Sequence, residues 1–485
     1  MRHLIVCVLA GCALHSPTPR QALVPDLPSL KGGEAVDTQV KWWSILPEPA
    51  LDQLIVRAQV NSPDLKAMAA NLRQARAMAR VAGAPRMPSL NMGVSGAGQP
   101  YTPFTLPTPG FDPDPDTEVQ ATFQAQFNLA YEADLFGRVR ASALAAQLDA
   151  GAAAHDLDAM RLVHAAQIVE LVLTVLEGRE QLALLKTNEG LLRQRLVAVQ
   201  ERFRSGLSNL LEIRQQEELI ATAIAQRPLL EEQVRSAGRK LALLSGQHAG
   251  KPLYPKGQVV PELPPRWMGS IPASFVHRRP DVSSAFKRVH AADHRLAAAI
   301  AGRLPTLRFS AQTGLGVLGR SRAESPMGDA QTLGASLEEG LDEVSGDPAG
   351  NLAWSLSAQL LQPIYQGGAV RARVGAAEAA REASVQRYIK TVLTAYEEVM
   401  GSHSGEEAQR VYLNRLSEQR TALLSSLDAA RKRYTAGLTE YRVLLQTQLA
   451  LLRADQALIR ARRQVWSGRM RLLRAAAGPL DEVTP

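Results

Sequence analysis

The placement of proline constrains this chain more than any other feature. All 29 prolines lie outside two runs, residues 116–227 and 364–478, that contain none. Proline removes a backbone donor and clashes with the preceding turn, so it interrupts helix interiors. Two proline-free runs of that length, rich in Ala, Leu, Glu, Gln and Arg, are where long helices can form. Apolar residues recur within them at spacings of three and four, as at Leu182, Leu185, Leu192, Leu196 and Val199, which is the period of one helix face. Only 5% of the residues are aromatic against 46% hydrophobic, so the core has to be built mainly from Ala, Leu and Val. That favours paired helices over one thick core.

One short motif interrupts each run: RFRSGLSNLLE (Arg202–Glu212) and RYTAGLTEYRV (Arg433–Val443). Glycine ends a helix, and Ser or Thr caps the next, so each motif reads as the turn of a helical hairpin. The two align without gaps at an offset of 231, which places Phe203 on Tyr434, Gly206 on Gly437 and Leu207 on Leu438. The same offset carries Gly137 of DLFGRVRA onto Gly368 of YQGGAVRA. Gly137 and Gly206, like Gly368 and Gly437, stand 69 positions apart. At 1.5 Å per residue that is about 100 Å of helix, far more than a globular domain needs.

Upstream the repeat continues at an offset of 217, where Ser62–Leu90 matches Arg279–Leu307 and Pro63 and Pro88 fall on Pro280 and Pro305. The chain is an internal duplication whose unit is a helix, two strands and a long helical hairpin. The expected organisation is a signal at residues 1–11, an N-terminal segment at 12–61, a first repeat at 62–246 and a connection at 247–278. A second repeat follows at 279–477, then a tail at 478–485.

The strands show as period-two alternation. In EVQATFQAQFNLAY, Val119, Ala121, Phe123, Ala125, Phe127 and Leu129 share one face and Gln120, Thr122, Gln124, Gln126 and Asn128 the other. In NLAWSLSAQLLQPIY, Leu352, Trp354, Leu356, Ala358 and Leu360 oppose Ala353, Ser355, Ser357 and Gln359. Their partners are LNMGVSGAG and LRFSAQTGLGVLG. The second contains GLGVLG (Gly314–Gly319), which fits a dinucleotide-binding loop, but no helix follows to receive a pyrophosphate. The glycines therefore belong to a strand, with Leu315 and Val317 on the face of Phe309 and Ala311, and Gly314 and Gly316 on the other.

The N-terminus, MRHLIVCVLAGCALHSP, has a basic start, an apolar run and then small residues, which reads as an export signal. Leu9-Ala10-Gly11-Cys12 resembles the bacterial lipobox, which makes Cys12 the lipid-attachment residue. The only other cysteine, Cys7, lies in the signal, so no disulfide is expected in the mature chain. Beyond the signal no apolar run of about 18 residues is evident, so a membrane would be crossed by strands. Net charge is +8, and RARRQVWSGRMRLLR (Arg460–Arg474) is strongly basic; in an exported chain this reads as a solvated helix face, anionic envelope polymers being the second reading, with no nucleic acid as partner.

Four strands cannot close on themselves in lipid, because two open edges leave backbone groups unpaired at several kcal/mol each and the smallest closed barrels have about eight strands. Three chains would supply twelve. The lipobox, the DLFGRVRA and PIYQGGAVRA junctions, the two glycine turns and the duplication together resemble the TolC-like outer membrane efflux proteins, in particular the lipoprotein branch that works with RND pumps. The resemblance spans nearly the whole mature chain. It implies an α+β fold in which a homotrimer forms a 12-stranded β-barrel in outer-membrane lipid, continued by a periplasmic α-helical barrel with an equatorial collar. It also implies a passive conduit that receives small molecules from an inner-membrane RND transporter through a periplasmic adaptor protein.

The same resemblance implies adaptor docking at the turns, here Gly206, Leu207, Gly437 and Leu438, and a pore constriction just after the second turn. There LLQTQ (Leu444–Gln448) stands where the family often has LLDAQ. Gln446 replaces the aspartate and Arg442 lies one turn earlier, so a threefold ring of arginines would make the constriction less cation-selective. Chemistry of other kinds finds little support. His290 and His294 lie four apart on a helix and could bind a metal with Asp293 nearby, but a third ligand at sensible spacing is missing, and they read as a solvated helix face. There is no nucleophile elbow, so neither enzymatic activity nor a cofactor or metal is expected. Two other readings are a periplasmic coiled-coil scaffold or adaptor, which has no use for four amphipathic strands, and a TolC-type polypeptide secretion channel.

Overall fold

The computed structural model describes residues 41–101, 118–266, 273–322 and 352–476. The signal, Cys12 and the tail at 478–485 lie outside the described residues. Helices α1 (Leu51–Asn61) and α2 (Pro63–Gly83) lead into strands β1 (Ser89–Tyr101) and β2 (Glu118–Ala133). The long helix α3 (Arg138–Arg204) follows and returns as α4 (Leu210–Ala225) and α5 (Arg227–Leu244). The second half repeats the order with α6 (Pro280–Ala301), β3 (Thr306–Arg322), β4 (Leu352–Leu361), α7 (Ala369–Thr435) and α8 (Tyr441–Ala476).

The duplication is plain in the helices: α3 and α7 are each 67 residues long and begin and end 231 positions apart. The returning arms differ. In the second half α8 runs 36 residues without a break, whereas the first arm is divided at Gln226 because Pro228 sits in the first turn of α5. There the missing N–H has no helical partner to lose. The entries differ too: the Asp134 carboxylate accepts from the backbone N–H of Val139 (3.0 Å) and Arg140 (2.7 Å) at the start of α3. An anion there satisfies free donors and meets the positive end of the helix dipole. Tyr365 occupies the matching position before α7 and offers no carboxylate; Gly137 before α3 and its counterpart Gly368 both have positive φ, and the second entry adds Gly367.

The described residues divide into two compact units, one drawn from 77–147 and 290–382 and the other from 41–76, 148–289 and 383–476. The first contains a four-stranded antiparallel sheet in the order β1-β2-β3-β4. Its register puts like faces together: Met92 pairs with Phe127, Leu129 with Ala311, Tyr131 with Phe309 and Ala311 with Leu356. Asn128 opposite Gln312, and Ser310 opposite Ser357, belong to the polar face. There the two serine hydroxyls are 2.6 Å apart. Among the described residues nothing covers the apolar face, with Trp354 77% and Leu356 73% exposed. GLGVLG lies wholly within β3, Gly314 opposite Gln126 and Ala353, and Leu315 opposite Ala125, as the alternation requires.

In this unit the helix carrying His290, Asp293 and His294 is not a solvated face. Asp293 is 1% exposed and its carboxylate accepts from Arg381 Nε at 2.5 Å, while both histidines are half-buried with partners of their own. The triplet spacing serves helix packing.

The second unit holds the helical cores, and these are built largely from Ala, Leu and Val. One gathers Trp42, Trp43 and Ile55 against Ile168, Leu173 and Leu176 of α3, Leu241 of α5 and Trp466 of α8. Another gathers Val282 and Val289 of α6 with Tyr388, Val392 and Val399 of α7 and Leu472 of α8. By length and composition α3 contains a stretch apolar enough to cross a membrane, contrary to the expectation from the sequence. Half of that stretch is buried against protein, which is where its apolar side chains are satisfied.

The basic stretch of α8 also departs from the solvated face expected of it. Arg469 is 5% exposed and bound to Glu406; Arg462 pairs with Glu180, and Arg463 with Glu177 at 3.1 Å. Arg469 and Arg410 also donate to the carbonyls of Pro265 and Pro264, both at 2.8 Å, and Trp466 Nε1 donates to Pro261 at 3.2 Å. These side chains hold an irregular segment that has few backbone partners of its own.

Candidate functional site at the hairpin turns

Both hairpin turns are closed by the same backbone geometry. Gly206 has φ +73° and Gly437 φ +72°, the left-handed region that L side chains avoid. The Leu207 N–H reaches back to the Arg202 carbonyl (2.8 Å) and Gly206 N–H to Phe203 (3.0 Å). Leu438 and Gly437 repeat this on Arg433 (2.9 Å) and Tyr434 (3.0 Å). This is the Schellman arrangement, which satisfies the last carbonyls of each long helix. A Cβ at either glycine would meet nothing within 4 Å, so conformation alone demands glycine here.

The next helix is capped by Asn209, not by the serine or threonine expected. Asn209 Oδ1 accepts from Glu212 N–H at 3.1 Å, while Ser208 Oγ donates to the Glu212 carboxylate at 2.8 Å. The result is a turn that presents large apolar side chains outward: Leu207 is 66% exposed and Leu438 68%, with Leu210 and Leu211 exposed beside them.

Hydrogen-bonding side chains from both hairpins join the two turns. Tyr434 donates its hydroxyl to Glu212 at 2.5 Å, and Tyr441 donates to Gln216 Oε1 at 2.7 Å. Gln216, wholly buried, gives its own N–H to the Leu192 carbonyl at 2.8 Å. The rings of Tyr434 and Tyr441 lie 5.1 Å apart, and the Arg202 guanidinium sits over the Tyr434 ring at 5.1 Å. Burial, reinforced by the Glu212 carboxylate, pushes the Tyr434 hydroxyl up to about 12, so it remains a donor at any physiological pH. Beneath this polar layer Leu192, Val199, Ile213, Leu219, Leu444 and Leu452 form an apolar seam between the hairpins. The aligned pair Phe203 and Tyr434 carried the one available signal, since only the second half has a hydroxyl at that position.

Arg442 and Gln446 both project from the exposed side of α8 one turn apart. Arg442 is not a free charge: its guanidinium is 3.6 Å from the carboxylate of Glu440. Both partners of that pair are largely exposed, and such pairs contribute about 0–1 kcal/mol. Among the described residues no cluster of His, Cys, Asp and Glu has the geometry of a metal site.

Comparison with known proteins gives a consistent answer. The family model of the outer membrane efflux protein matches residues 54–247 and 272–478. The pyoverdine export outer membrane protein OpmQ of Pseudomonas aeruginosa is 28% identical, over 94% of this chain and 92% of its own length. The solvent efflux pump outer membrane protein SrpC of Pseudomonas putida is also 28% identical, over 97% of this chain and 96% of its own. Among solved structures, the outer membrane protein VceC of Vibrio cholerae superposes with a TM-score of 0.74 at 22% identity, covering 91% of this chain and 99% of that one. With both repeats matched over their strands and helical hairpins, the chain belongs to the outer membrane efflux protein family.

Proposed function

We propose that this protein is the outer-membrane conduit of a tripartite efflux system, working as a homotrimer with a periplasmic adaptor and an inner-membrane RND transporter. The observation that carries the reading is the sheet: four strands, one face apolar and bare, with no strand paired to β1 or β4 at its outer edge among the described residues. In lipid such edges must be paired, and a second and third copy provide the partners. Twelve strands then close a barrel, and the hairpins of three chains line a periplasmic passage. Repeats at 62–246 and 279–477 are the two building units, with 12–61, 247–278 and 478–485 assigned to the region around them.

In this reading Gly206, Leu207, Gly437 and Leu438 form the adaptor-docking turns, supported by their shared left-handed geometry and outward leucines. Arg442 and Gln446 line the constriction, which the Glu440 carboxylate beside Arg442 makes less positive than a bare arginine ring. Cys12 carries the lipid anchor, supported by the lipobox before it. The physical demand on a passive conduit is modest: it must bind little and open on engagement, and the cargo is small molecules passed on from the pump. Fractionation of cells producing the full chain, followed by gel analysis with and without heating, tests the reading. A heat-sensitive trimer band in the outer-membrane fraction is expected; a soluble periplasmic monomer would overturn it and favour a coiled-coil scaffold.

A further inference from the structure

Between α3 of the first hairpin and α7 and α8 of the second lies a cleft of about 560 Å³. Its walls carry three cations, Arg195, Arg202 and Arg431, together with Tyr434 and Gln448. The acid among its lining residues, Asp428, is already 2.6 Å from Lys432. Neither Arg195 nor Arg431 has an ion pair among the described residues; burial depresses the Arg195 pKa, with Tyr441 opposing the shift and the like charge of Arg431 adding to it. Arg202 gives one N–H to the Leu207 carbonyl at 3.3 Å and leaves its Nε buried without a partner. Gln448 is 7% exposed, and neither its amide nitrogen nor its oxygen has a partner.

A buried amide left unsatisfied is destabilising, and like charges drawn together add to that. Buried polar groups are otherwise nearly always partnered, so these call for an explanation, and a ligand that completes them is one. A component that completes the cleft has to be negative, because Arg195, Arg202 and Arg431 all line it and its acid is already paired with Lys432. It has to offer several acceptor oxygens, because arginine forks bind planar pairs of oxygens. It also has to be small, given the size of the cleft.

We propose that this cleft is a binding site for a small polyvalent oxyanion of the phosphate or polycarboxylate class. Arg195 and Arg202 come from the first hairpin and Arg431 and Gln448 from the second, so the bound anion holds the two hairpins together beside the Tyr434–Glu212 bond. The inference concerns a ligand site and stands apart from the transport reading: it holds whether or not the chain is a conduit.

The test uses purified full-length protein in chloride buffer of fixed ionic strength, titrated by calorimetry with inorganic phosphate and separately with citrate, with thermal unfolding followed in parallel. Saturable binding and a raised Tm are expected. Arg195→Gln and Arg431→Gln should each weaken apparent affinity about tenfold, the loss of one charge-assisted contact. Gln448→Leu should weaken it with no change of charge, and Arg415→Gln, at an exposed residue paired with Glu418, should leave it unchanged. The proposal is overturned if phosphate and citrate do no more than chloride at equal ionic strength. It is equally overturned if binding persists unaltered in the folded Arg195→Gln/Arg431→Gln double variant and in Gln448→Leu.

Discussion

Arg469 of α8 and Glu406 of α7 form a two-pronged buried ion pair, Nε to Oε2 at 2.8 Å and Nη2 to Oε1 at 2.7 Å. Arg410 adds a third bond to the same carboxylate at 2.9 Å, and both arginines pass remaining donors to the proline-rich segment at 264–265. Every charge here is partnered, which is the condition under which burial of charge is tolerated. Arg469→Ala should cost about 3 kcal/mol, because it leaves Glu406 short of one partner and frees the Pro265 carbonyl. Chemical denaturation followed by circular dichroism reads this directly, and Arg415→Ala, at an exposed pair, should cost less than about 0.5 kcal/mol on the same scale.

The Tyr434–Glu212 bond links the two hairpin turns, so its loss should loosen them without unfolding either. Tyr434→Phe removes the hydroxyl and keeps the ring under Arg202; the expected cost is about 1–2 kcal/mol. Hydrogen exchange should rise at residues near 205–213 and 434–442 while the core around Trp466 keeps its protection. Exchange unchanged at the turns would show that the apolar seam alone holds the hairpins. The wild-type bond also has an alkaline limit. The Tyr434 hydroxyl is raised from about 10 in the unfolded chain to about 12 in the fold. Its contribution is therefore complete below pH 10 and lost as pH rises through 12.

Three glycines with positive φ should respond unequally to alanine. At Gly206 and Gly437 only the backbone conformation is penalised, about 1 kcal/mol each, since a Cβ meets open space. At Gly246 a Cβ would collide with the Asn61 carbonyl, so Gly246→Ala combines conformational strain with a clash and should be the most destabilising. Thermal melts of the three single variants rank them.

How much of this was readable in advance depends on whether a feature is local. The two 67-residue helices follow from proline-free runs and an offset of 231, because helix continuity is decided residue by residue. The strand faces follow from a period of two. The joint at the turns was not readable: Tyr434 and Glu212 are 222 positions apart, and nothing in the spacing of a tyrosine and a glutamate says that they meet. The burial of the α8 arginines is hidden from the sequence for the same reason. A run of cations resembles a solvated face until tertiary packing brings Glu180, Glu177 and Glu406 against it.

His164 gives the fold an acid limit. It is 1% exposed, and burial holds its imidazole below the ordinary value, with Asp64 and the Leu244 carbonyl opposing that shift only in part. The unfolded chain, titrating near about 6.5, takes up its proton first. This contribution therefore leaves stability unaffected above pH 7 and reduces it as pH falls below about 6.5. His164→Leu should flatten that part of the dependence in denaturation midpoints measured from pH 8 to pH 5. An unchanged slope would assign the acid limit to other groups.

The exposed apolar face of the sheet makes the strongest demand on its surroundings. Leu356, 73% exposed and opposite Ala311, shares that face with Trp354 and Leu360. If lipid covers it, Leu356→Arg places a guanidinium in hydrocarbon at a cost of about 2–4 kcal/mol near the midplane of the bilayer. Ser355→Arg, one residue away on the opposite face, meets water and should cost far less. The two variants differ in position by a single residue and in charge not at all, so their contrast isolates the face. The outer-membrane fraction should retain Ser355→Arg at near wild-type levels and lose most of the Leu356→Arg protein. Equal recovery of both would mean that the face is covered by something other than lipid.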